Sequence, residues 1–211
     1  MRSALRRLLL ACGLAAATAV CVPSIASAAA PHGSLTTAEY EMLLAAFQRG
    51  EALEHDRNAT SAEWSAMCDM TASPPSALVS DAHALCRSGV RFLQVSAGKS
   101  CGSKDTRCAA RALLRSETAS RSIARSLRAQ RRSVAERGLT GECALSISGP
   151  REWVTVYEAL ANALRDLRRA MLAANERLLR RANARMERAA SLAEGIEDED
   201  SAALLTTCPR V

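Results

Sequence analysis

The stretch CAARALLRSETASRSIARSLRAQRRSVAER, residues 108–137, decides the fold. At 100° per residue, Ala109, Ala112, Leu113, Ser116, Ala119, Ser120, Ile123, Leu127 and Val134 share one side of a helix. Arg107, Arg111, Arg115, Arg121, Arg125, Arg128 and Arg132 gather on the opposite arc. Within it, RSIARSLRAQRR (121–132) places five arginines in twelve positions with no acid. A small-residue side this continuous is only stable when other elements cover it, so the segment predicts helix-on-helix packing.

Working outward toward the N-terminus, Gly98 to Arg107 reads as a loop. Before it, residues 76–95 carry Leu78, Ala82, Leu85, Phe92 and Val95 on one side of a further helix. Ser73-Pro74-Pro75 is a break. Thr60 with Glu63, and Thr36 with Glu39, match the capping box, in which each residue's side chain bonds the other's backbone N–H. The second box opens a helix with Tyr40, Leu43, Leu44 and Phe47 on one face, weakened at Gly50 and the polar EHDRN segment.

Toward the C-terminus, Gly138, Gly141 and Gly149-Pro150 predict a loop. The last helix is expected from about 151 to 192, roughly 60 Å at 1.5 Å per residue. Tyr157, Leu160, Leu164, Leu167, Met171, Ala174 and Leu178 repeat in steps of three and four, a heptad seam. It suits the core stripe of a bundle first and a coiled-coil homodimer second. Asn175, at the edge of the stripe, is expected as a register-setting polar contact.

Strand alternation is missing, and aromatic residues are scarce. The expected fold is all-α, an antiparallel helical bundle of about four helices over 37–193, cross-linked by disulfides. A disordered leader (29–36) precedes it, and an acidic tail (194–211) with EDED and Cys208 follows.

The first 28 residues read as an export signal. Arg2, Arg6 and Arg7 form its charged start, Leu8 to Val22 its apolar stretch, and Ala26-Ser27-Ala28 its cleavage site. The apolar run is short against the 20 or so residues that cross a bilayer. Cleavage removes three arginines, so 28 basic residues become 25 against 22 acids and the net charge falls from +6 to +3. The expected location is secreted or cell-envelope. With 26 arginines against Lys99 and Lys104, and abundant alanine, the usage is that of a GC-rich bacterial genome.

Export leaves Cys68, Cys86, Cys101, Cys108, Cys143 and Cys208, an even set bound for an oxidising compartment. Cys101–Cys108 closes a local loop, and about 2–3 kcal/mol of stabilisation follows from its length. Six intervening residues fit a redox motif poorly, so the pair reads as structural. The other four are left open. Cys68–Cys86 is uneven across its hairpin, and Cys143–Cys208 requires the tail to double back along the last helix.

No nucleophile elbow, zinc motif, P-loop or dinucleotide fingerprint occurs, so neither catalytic residues nor a cofactor are assigned. No metal site is assigned either, since His32, His55 and His83 do not cluster and paired C-x-x-C motifs are lacking. Residues 107–137 hold nine arginines against Glu117 and Glu136, a local charge of +7. The seven arginines of the arc are therefore the candidate site, with a solvated helix face as the simpler reading. An anionic envelope polymer, a lipid surface or an acidic protein fits the arc and the compartment. Nucleic acid does not, because stacking aromatics and recognition motifs are missing. The expected function is an exported, non-catalytic helical protein that binds such a partner; self-assembly through the seam, or a site between helices, are the alternatives.

Overall fold

The computed structural model describes residues 32–56, 58–68, 76–96, 101, 105–196 and 201–211. The export signal, Ser73-Pro74-Pro75 and the acidic run Glu197–Asp200 lie outside the described residues. The fold is all-α: α1 (Thr37–His55), α2 (Ser61–Met67), α3 (Ala77–Ser96), α4 (Thr106–Glu136), α5 (Gly141–Ser148), α6 (Glu152–Leu172), α7 (Glu176–Glu194) and α8 (Ser201–Leu205). This exceeds the expected set of about four helices. Short helices occupy segments expected as loop or tail, and the long last helix is divided.

Both capping boxes form. Thr36 Oγ1 accepts from Glu39 N at 3.1 Å and Thr36 N donates to Glu39 Oε2 at 2.9 Å, with the equivalent pair at Thr60 and Glu63. In α2 those hydrogen bonds to Thr60 hold the Glu63 carboxyl below the usual carboxylate range. Gly50 does not interrupt α1; it is buried within it.

Three helix pairs run antiparallel. Ser88 on α3 shares hydrogen bonds with Ser122 and Ser126 on α4, each at 3.1 Å. Glu117 on α4 lies opposite Arg168 on α6, at 3.4 Å. Asp166 on α6 pairs with Arg185 on α7. Of the nine residues anticipated on the covered side of α4, Ala119, Ser120, Ile123, Leu127 and Val134 are buried, while Ala109, Ala112, Leu113 and Ser116, nearer its N-terminus, are half-buried.

The expected 151–192 helix breaks at Ala173–Asn175. Ala174 takes φ +48°, and Asn175 N reaches back to Ala170 O at 3.0 Å, closing a Schellman turn. Asn175 is therefore not an interhelical contact. It caps α7, its Oδ1 accepting from Leu178 N at 3.0 Å. The heptad seam consequently does not run through to Leu178. Its first half, with Tyr157 and Leu164, is buried inside the molecule. Reversal lets α7 lay Ala182, Ala189 and Ala193 inward, burial that a straight 60 Å helix would forgo.

Two cores result. One, in the middle of α3, α4 and α6, holds Leu85, Phe92, Ile123, Leu127, Trp153, Val156 and Tyr157. Tyr157 meets Phe92 edge-on at 5.9 Å between ring centroids. The other joins α1, α5 and α8 to the start of α3 and the end of α4, through Leu43, Phe47, Leu78, Val134, Ile147 and Leu205.

The segment after α4 contains α5 rather than a continuous loop. Glycines bound it: Gly138, Gly141 and Gly149 all have positive φ. Between them Cys143 and Ile147 face the second core. Gly138 also admits the His32 ring, since a Cβ there would stand 2.0 Å from an imidazole carbon.

Residues 32–36, expected within a disordered leader, are seated. Leu35 is fully buried, donates to Pro209 O at 2.9 Å and accepts from Val211 N at 3.0 Å, so the two ends of the described chain hold each other. Arg210 stacks 4.1 Å over the Tyr40 ring at the same place.

All six cysteines pair. Cys101–Cys108 is the local bridge expected; Cys68–Cys86 and Cys143–Cys208 settle the pairings left open. The tail need not double back along the last helix, because the reversal at Ala174 already returns α7 to the level of Trp153; Cys143 and Cys208 are separated by 65 in sequence and by 4.8 Å at Cα.

Candidate anion-binding face

Because α3 and α6 cover two sides of α4, a third is left to water, and there the sequence puts arginine. Arg107, Arg111, Arg115, Arg121, Arg125, Arg128 and Arg132 are all exposed. The row runs roughly 38 Å from Arg107 to Arg132 at 1.5 Å per residue. Two of the seven have carboxylate partners: Arg121 with Glu117 at 3.1 Å one turn away, and Arg128 with Glu158 on α6. Arg111 and Arg125 donate from Nε to the carbonyls of Arg107 and Arg121, each at 3.4 Å, which leaves their terminal nitrogens directed outward.

The structure draws part of this row into one place. An open groove of about 790 Å³ is lined by Arg125, Arg128, Arg131 and Arg132, with Ser122, Ser126, Ala84 and Ala129 completing its walls. Arg131 was not counted in the arc, because its angle turns it toward α6. There it is half-buried and donates to Gly149 O at 2.8 Å, anchoring the start of α6. Burial and the nearby Arg151 guanidinium hold its pKa below the usual guanidinium range, while Glu152 offsets this in part. Ser122 and Ser126 were missed as well; only the pairing of α3 with α4 reveals that these residues line a groove. No angular count along one helix contains that information.

Arg107, Arg111 and Arg115 stand apart from the groove, farther toward the α4 N-terminus. Arg137, at the other end, turns inward to Glu39 on α1 at 2.8 Å, with both side chains largely buried.

Guanidinium groups offer paired N–H donors that match phosphate and carboxylate oxygens, while the Ser122 and Ser126 hydroxyls are engaged with Ser88. The arrangement suits holding an anion, not transferring a proton or an acyl group. Among the described residues no group of three or more His, Cys, Asp and Glu is placed to hold a metal ion. No helix among them is long and apolar enough to cross a membrane. No family model, curated protein or solved structure matches the chain.

Proposed function

We propose that this chain is an exported, non-catalytic helical protein that binds an anionic component of the cell envelope through the arginine face of α4. One observation carries the reading: four arginines and two serines line a single open groove on a rigid helix. The paired cysteines suit an oxidising compartment, in keeping with export. The acids near the face are few, and Glu117 is already engaged by Arg121 and Arg168.

Polyphosphate binding at low and high salt tests it. Affinity falls with ionic strength, as exposed charges are screened within about 10 Å at 0.1 M salt. Changing Arg121, Arg125, Arg128 and Arg132 to glutamine abolishes it. Binding unaltered by that substitution sinks the proposal.

A further inference from the structure

Among the described residues five large apolar side chains are exposed, and two of them, Leu114 and Leu172, belong to one region. Their placement follows from the ion pairs. Arg128 on α4 meets Glu158 on α6, so the exposed sides of these two antiparallel helices adjoin there. Leu114 lies fourteen residues before Arg128, and Leu172 fourteen residues after Glu158. Each is about 21 Å along its helix from the pair and within about 40° of it around the axis. The two leucines therefore share one level and one side of the molecule.

Leu114 stands inside the arginine row, between Arg111 and Arg121, and is 44 % exposed; Leu172 is 59 % exposed. Beside the two leucines Arg111, Arg115 and Arg169 are exposed, and Glu176 is the one exposed acid in residues 111–118 and 165–181. A soluble polyanion gains nothing from exposed leucine. A bilayer surface gains from both groups, since acyl chains take up the apolar tips and headgroup phosphates pair with guanidinium. Arginine also keeps its charged head at the interface while its stem lies along apolar surface.

We infer that Leu114 and Leu172, flanked by these arginines, dock the protein peripherally on an anionic lipid bilayer. The inference rests on the anion-binding reading of the α4 face and names its partner.

Co-sedimentation with vesicles of equimolar phosphatidylglycerol and phosphatidylcholine, beside polyphosphate binding, tests it. Changing Leu114 and Leu172 to serine, with helicity verified by circular dichroism, weakens vesicle binding about tenfold, from the apolar area lost. Polyphosphate binding stays within about twofold, since no arginine is altered. As a second readout, Leu172→Trp fluorescence is quenched by brominated acyl chains beyond the background of Trp64 and Trp153. An unchanged double variant, an unquenched Leu172→Trp, or equal binding to pure phosphatidylcholine overturns the inference. Binding to polyphosphate without binding to vesicles overturns it while the anion-binding reading stands. Failure to bind either removes both.

Discussion

The two ends of α4 use the same residue in opposite ways. At the C-terminal end Arg137 is folded against α1, its guanidinium on the largely buried Glu39 at 2.8 Å. Two disulfides, Cys68–Cys86 and Cys143–Cys208, lie in the core beside it, with both ends of the described chain laid across. Toward the N-terminal end Arg107, Arg111 and Arg115 stand in water without an ion pair to any described residue. An exposed arginine keeps its hydration and contributes little to stability. A desolvated one requires its partner, and loss of that partner leaves a charge stranded. One end of the molecule is thus arranged for stability, whereas the other leaves charge and apolar surface available.

The largest effect expected at the stable end is loss of Cys143–Cys208. With a sequence separation of 65 between the cysteines, replacing both by serine costs about 4 kcal/mol in the loop-entropy model, measured by denaturant unfolding. A cost near zero would mean that α5 and α8 hold the tail without the bridge.

The next prediction compares the two ends directly. Arg137→Ala strands the Glu39 carboxylate and destabilises by about 3 kcal/mol. Arg111→Ala, on the same helix, stays within about 0.5 kcal/mol. Equal effects at the two positions would dissolve the distinction between a structural and an available arginine.

The smallest effects are at the α6–α7 turn, where two changes have opposite signs. Ala174 occupies a left-handed conformation that glycine adopts without a Cβ clash, so Ala174→Gly stabilises by about 1 kcal/mol. Asn175→Ala removes the cap on α7 and destabilises by about 1 kcal/mol. Thermal unfolding of both variants reads the pair, and a destabilising Ala174→Gly would mean that the turn does not need its left-handed residue.

Much of α4 was legible because one helix can be read alone. Periodicity placed its arginines and its buried side, and every arc residue is exposed as expected. The capping boxes were legible for a similar reason, being hydrogen bonds between residues three apart. The break after Leu172 was not. Alanine is the strongest helix former, so two alanines across a continuing apolar seam argue for continuation. The local sign was Asn175 followed by Glu176, a cap and a first-turn acid, and it was outweighed by the longer pattern.

The segment 138–150 was misread through its glycines. They end one helix and begin another, and the helix between them is stabilised by burying Cys143 and Ile147. The groove serines were missed because a hydroxyl's role depends on which helix lies next to it. Likewise, the helical angle sets Arg131 and Arg137 off the arc, but nothing in the sequence says that Gly149 O and Glu39 receive them.

By itself, therefore, the sequence determined the helical class, the arginine row with its covered underside, the two capped starts and the local Cys101–Cys108 bridge, all properties of residues close along the chain. Tertiary structure alone decided the reversal at Ala174, the two long-range disulfides, and the groove beside α3. It also brought Leu114 level with Leu172. Those depend on burial and pairing between segments far apart in sequence, which no periodicity along a single helix encodes.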